Sequence, residues 1–81
     1  MADPRRPVAE LCTLGETMGL FTASEVGPLR NGAPATIGIG GAESNVAIGV
    51  RRLGHSAEWI SRVGADPLGA LILRELRAEG V

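Results

Sequence analysis

The stretch Gly38-Ile39-Gly40-Gly41-Ala42-Glu43-Ser44-Asn45-Val46-Ala47-Ile48-Gly49-Val50-Arg51-Arg52-Leu53-Gly54 decides how the rest of this chain is read. An extended run enters a double glycine, a short polar segment ending in an asparagine follows, and an amphipathic helical pattern carries the chain away. Adjacent glycines present no Cβ, so another molecule can come close to the backbone. The first N–H groups of a helix lack intrahelical partners and point at whatever lies above the turn. The segment therefore reads as a ligand platform where a strand hands over to a helix.

Working outward, residues 9–15 alternate loosely into Gly15 and fit a first strand, and Met18 to Ala23 fits a second extended segment. Gly27, Pro28, Asn31, Gly32 and Pro34 are turn residues, so Ala35 to Gly40 returns as a third extended segment in a hairpin-like arm. Residues 43–53 form the first predicted helix, with Val46, Val50 and Leu53 as its apolar stripe and Ala47 widening it. Gly49 weakens that helix by about 1 kcal/mol relative to alanine, and close packing of helix on sheet is its expected benefit. Gly54 is placed as a stop. Ala57 to Val63 reads as a strand centred on Trp59 and Ile60.

The second helix has sharper ends. Asp66 suits the N-cap, and Pro67 suits the first helical position. Leu68, Leu71, Ile72 and Leu76 line one face, Gly80 ends the helix, and Val81 can fold back towards Leu76. Glu75 and Glu79, with Arg74 and Arg77 beside them, read as a solvated face.

Strands alternating with helices imply an α/β fold with a parallel sheet and right-handed crossovers. A parallel sheet is normally covered on both faces. Two helices cannot supply that cover, so the 81 residues read as the opening segment of a larger α/β domain. Residues 1–8 read as a disordered lead-in, and no internal repeat or low-complexity tract is evident.

Composition narrows the function. The chain is 44% hydrophobic and 21% charged with a net charge of −1, which is globular and leaves no basic footprint for nucleic acid. Phe21 and Trp59 lie too far apart in sequence to form a stacking row. Cys12 is the only cysteine, sits in an apolar run, and reads as a buried structural thiol in a reducing, cytoplasmic setting. No apolar run is long enough to span a bilayer.

At the glycine turn, the dinucleotide fingerprint fails. Glu43 stands where its third glycine belongs, and the next strand leads into Ser61-Arg62-Val63-Gly64 without the ribose-binding acid. The phosphate-loop pattern fails too, because the chain has no lysine. What remains is a weakly polar cradle with Asn45 inside it. An asparagine amide both donates and accepts, which suits sugar hydroxyls; it equally suits a local backbone bond that holds the turn. Spacing alone leaves those two roles open.

The run GGAESNVAIGVRRLG resembles the N-terminal signature of the ribokinase-like, or PfkB, carbohydrate kinases. Thr13-Leu14-Gly15-Glu16 is similar to that family's first strand and its turn. Ile60 to Gly69 is similar to its strand-to-helix passage, and Leu76 to Val81 to the end of the following helix. The resemblance runs from residue 9 onward and is strongest to the 2-keto-3-deoxygluconate kinases. It implies a ribokinase-like three-layer sandwich, mostly parallel sheet with helices, plus a small β lid formed by residues 17–24 and 34–40. It implies ATP and Mg2+ as cofactors, a sugar or sugar acid as substrate, and a homodimer through the lid.

The positions carried over as substrate-binding are Gly40, Gly41, Ala42, Glu43, Ser44 and Asn45. Many neutral-sugar members of the family place an aspartate five residues after the first-strand glycine, where this chain has Leu20. Losing a carboxylate there removes a repulsion against an anionic sugar acid. The family's catalytic aspartate, anion hole and ATP groove are expected beyond residue 81, so the chain alone is expected to be inactive. His55 is expected to be solvated, Glu16 a turn residue and Asp66 a helix cap rather than a metal ligand. A non-catalytic ligand-binding or dinucleotide-binding module and an inactive truncation are the competing expectations.

Overall fold

The computed structural model describes residues 8–81, so most of the expected lead-in lies outside the described residues. The elements run β1 (Leu11–Leu14), β2 (Met18–Ala23), β3 (Ala35–Gly40), α1 (Ala42–Arg52), β4 (Ala57–Ile60) and α2 (Pro67–Ala78). β1 and β4 pair in parallel, with Leu11 opposite Ala57 and Leu14 opposite Ile60. β2 and β3 pair antiparallel, from Met18 opposite Gly40 to Ala23 opposite Ala35. The fold is α/β with a parallel sheet, as expected. The first and fourth strands are shorter than the alternation suggested: the ladder ends at Leu14, just before Gly15, and at Ile60, with residues 61–64 running on outside regular structure.

α1 packs on both β1 and β4 and covers one face of that pair. Strand side chains alternate between faces, so Leu11, Thr13, Ala57 and Trp59 turn towards the helix while Cys12, Leu14, Glu58 and Ile60 lie on the open side. Cys12 is therefore exposed rather than buried, a correction to the sequence reading. α2 packs against β2 and β3, with the Leu68 methyls lying over Gly19.

The buried stripe of α1 is also not the expected one. Ser44 and Ala47 are fully buried, whereas Val46 is 54% and Leu53 80% exposed. Of the expected stripe, Ala47 is buried and Val50 half-buried, while Val46 and Leu53 face outward, so the inward face is turned towards Ser44. Gly49 does not pack on the sheet either, since a Cβ there would meet nothing within 4 Å. The buried apolar side chains of the described residues are Ala47, Ala57, Ile72 and Leu76, a slender core for this length.

Both helices stop by the same device. Gly54 has φ +94°, donates its N–H to the Arg51 carbonyl, and lets His55 N–H donate to Val50. Gly80 has φ +84°, donates to Arg77, and lets Val81 N–H donate to Leu76. These are Schellman caps, and glycine adopts the left-handed conformation they require without a Cβ penalty. The helix ends are then tied together. Arg52 Nε donates to Glu79 Oε2 at 2.9 Å, and its second guanidinium nitrogen donates to Glu79 Oε1. That pairing, chiefly the hydrogen bond, holds the Glu79 carboxyl below the usual carboxylate range and raises Arg52. Glu79 thus belongs to a staple rather than to an idle solvated face. His55 is exposed, as expected, and its Nδ1 lies 2.8 Å from Glu10 Oε2.

Candidate functional site

The corner between β3 and α1 lies at the carboxyl end of the parallel pair. Gly15 leaves β1 there, with its N–H donating to Ile60 O at 3.3 Å, and the Glu43 side chain of α1 lies across Gly15. Ligands of open α/β sheets bind outside the carboxyl ends of the strands. The hairpin joins at the same place, because Met18 pairs with Gly40.

Gly41 is the N-cap of α1, with no side-chain cap. Its φ of 176° is ordinary extended backbone, so conformation does not explain the glycine. Close approach does. A Cβ on Gly41 would run into the carbonyl oxygen of Glu16 and come within 3.1 Å of Thr17 Cα. A Cβ on Gly40 would lie 2.6 Å from Leu20 Cδ1. The space left by the two glycines is thus filled by the chain's own β1–β2 connection and β2, which corrects the expectation of a bare corner open to a ligand.

The remaining sequence-predicted residues divide. Ser44 is fully buried, and its hydroxyl donates to the Gly41 carbonyl at 3.1 Å, so it fastens the first turn. Ala42 is exposed at the first helical position. Glu43 is half-buried in the first turn, where the positive end of the helix dipole favours a carboxylate. It makes no hydrogen bond or ion pair with the described residues.

Asn45 is exposed, and its backbone N–H closes the first helical bond to Gly41 at 2.9 Å. Its side-chain amide makes no hydrogen bond to the described residues. Asn45 lines a groove of about 370 Å³ between the helices, together with Ile39, Gly49, Arg52, Glu75 and Glu79. The structure thus puts Glu43 and Asn45 on one helical corner with free polar ends, and withdraws Ser44 into the fold.

Two neighbours escaped the sequence reading. Thr17 Oγ1 is buried with no partner beside Gly41, and Gly15 carries the Glu43 side chain. No periodicity or motif marks Thr17. Gly15 was legible only as a turn, because the Cβ contact it avoids comes from a residue 28 positions later, Glu43.

The sequence pattern of the pfkB family carbohydrate kinases matches residues 8–81. The chain belongs to the pfkB family of carbohydrate kinases. Over 69 residues this pfkB segment is 51% identical to the 2-dehydro-3-deoxygluconokinase of Bacillus subtilis, covering 85% of the chain and 21% of that protein. Its fold superposes on a PfkB protein from Polaromonas sp. JS666 with a TM-score of 0.85 at 41% identity, covering 90% of the chain and 25% of that protein. It also superposes on an uncharacterized sugar kinase from Pyrococcus horikoshii in complex with ATP, with a TM-score of 0.81 at 38% identity, covering 88% of the chain and 24% of that protein. The pfkB segment therefore spans a fifth to a quarter of the length of these relatives. No helix among the described residues is long and apolar enough to cross a membrane.

Proposed function

We propose that this chain is the sugar-side segment of an ATP-dependent kinase that transfers the γ-phosphate to a hydroxyl of a sugar acid of the 2-keto-3-deoxygluconate type. The observation that carries this is the first turn of α1, where the Glu43 side chain lies across Gly15 at the carboxyl end of the parallel pair and the Asn45 side chain has no hydrogen bond to the described residues. An acceptor-only carboxylate and an amide that both donates and accepts, carried on the same helical turn, suit a ligand bearing several hydroxyls. Gly40, Gly41, Ala42 and Ser44 contribute as the frame that holds those two side chains. The Bacillus subtilis relative supports a sugar acid. So does Leu20, which sets a methyl rather than a negative charge against Gly40.

In this proposal the β2–β3 hairpin is the lid. Its exposed Phe21 and Ile37 are cross-strand partners, and the hairpin closes over the substrate to keep water from the phosphoryl acceptor. The same apolar hairpin face is the proposed contact between two copies. ATP use is supported by the Pyrococcus horikoshii neighbour. Among the described residues no group of three His, Cys, Asp or Glu side chains stands close enough to hold a metal ion, and the chain has no lysine. Donors for ATP and Mg2+ are therefore assigned to other parts of the kinase. Phosphoryl transfer depends on positioning and charge stabilisation around the γ-phosphate, and the proposal places both in those parts.

The test is a chimaera in which this chain replaces the matching segment of the Bacillus subtilis 2-dehydro-3-deoxygluconokinase. The expected result is ATP-dependent phosphorylation of 2-keto-3-deoxygluconate by the chimaera, none by the 81 residues alone, and little with fructose. A folded chimaera that binds and turns over fructose but not the sugar acid would overturn the substrate assignment. ATP turnover by the 81 residues alone would overturn the division of labour.

A further inference from the structure

We propose that Gly15 is a positioning residue for Glu43, and that the two act as one unit that orients the substrate with its hydroxyl-bearing end, not its carboxylate, towards the corner. This rests on the function proposed above. The geometry is specific. If Gly15 carried a Cβ, Glu43 Cγ and Oε2 would each lie 2.5 Å from it, closer than real Cβ contacts allow. The missing Cβ is the seat on which the side chain rests. Gly15 is not held in a left-handed conformation, so its backbone gives no separate reason for a glycine.

The seat fixes where the charge stands. Glu43 is in the first turn of α1, and its carboxylate is pinned over the end of β1 while keeping its acceptor capacity unspent. An ionised carboxylate accepts hydrogen bonds and donates none. It therefore attracts a sugar hydroxyl and repels the carboxylate of a sugar acid. Neither Asp66, committed to the α2 cap, nor Glu79, committed to Arg52, competes for that role. Glu16, exposed next to Gly15, carries the same sign, so both carboxylates at this corner favour the hydroxyl-bearing end of the acid.

A double-mutant cycle of Gly15→Ala and Glu43→Ala in the chimaera tests the unit. Each single variant is expected to raise KM for 2-keto-3-deoxygluconate about tenfold or more, by a larger factor than kcat falls. The double variant is expected to be no worse than Glu43→Ala, because the seat has no function once its occupant is gone. Effects that multiply, or a Gly15→Ala variant with unchanged KM, would overturn the proposal. If Gly15→Ala does not fold, the double variant is expected to fold, since the space is vacated; a double variant that stays unfolded overturns the proposal as well.

The orientation has its own sign. With hydroxyls facing Glu43, Glu43→Ala weakens the sugar acid; with the carboxylate facing it, the same change tightens binding. A parent chimaera inactive on every sugar acid defeats the function proposed above. The coupling is then read from melting temperatures. Gly15→Ala is expected to lower Tm by roughly 2 °C or more beyond the shift it causes when Glu43→Ala is already present. Equal shifts in the two backgrounds overturn it.

Discussion

Two strand-to-helix corners in this chain use the same vocabulary and finish differently. At the α2 corner Asp66 caps the helix, its Oδ1 accepting from Gly69 N–H at 2.8 Å, and Pro67 occupies the first helical position. Gly69 is buried face to face with the Gly64 backbone, so closely that any Cβ on it would collide with the Gly64 carbonyl. The Asp66 side chain and the Gly69 N–H that this motif supplies are paired with each other within the fold. At the α1 corner glycine stands at the N-cap, no side chain caps the helix, and the polar ends of Glu43 and Asn45 are left without partners among the described residues. Folding alone explains the first corner. The second keeps two polar side chains free of partners among the described residues, where a ligand can use them.

The largest effect expected from this contrast is steric. Gly69→Ala should cost about 3 kcal/mol, since the obstacle is the Gly64 backbone and cannot swing aside. Gly41→Ala should cost a similar amount against the Glu16 carbonyl. Gly40→Ala should cost much less, because only the tip of Leu20 has to move. Urea unfolding of the three chimaeras gives the order, and a freely tolerated Gly69→Ala would break the account of both corners. Next in size is the cap. Asp66→Ala leaves Gly69 N–H without its acceptor and should cost about 1 kcal/mol, with sugar-acid KM unchanged. A raised KM would mean that the α2 corner also serves the ligand.

Most of the framework was legible from local chemistry. The hairpin limits, the cap at Asp66, the stop at Gly80 and the parallel crossover all follow from residues that specify their own backbone. What failed required knowing what lies opposite. Val46 and Leu53 have the spacing of a core stripe with Val50 and Ala47, yet they stay exposed while Ser44 turns inward beside Ala47. Cys12 looked buried from its neighbours, but alternation puts it on the face that α1 does not cover. Gly41 read as an opening for a ligand, and its partner proved to be the Glu16 carbonyl. Glu79 read as solvated, and its partner Arg52 lies 27 positions away. Periodicity shows that a side chain needs a neighbour without naming it.

Asn45 separates the two corners most finely, because its predicted effect on stability is the smallest and its predicted effect on function is not. The side chain is exposed and has no hydrogen bond to the described residues to lose, so Asn45→Ala should change unfolding free energy by less than about 0.5 kcal/mol. Alanine is also the better helix former, which works against any loss. If the amide is held for a ligand, sugar-acid KM should nonetheless rise about tenfold, the worth of one or two hydrogen bonds left unmade. Asp66→Ala is the mirror image, losing stability and keeping KM. The alternative in which Asn45 merely holds its turn predicts that both residues behave alike. Equal stability losses at the two sites, with KM unmoved at both, would therefore reduce the α1 corner to another structural turn.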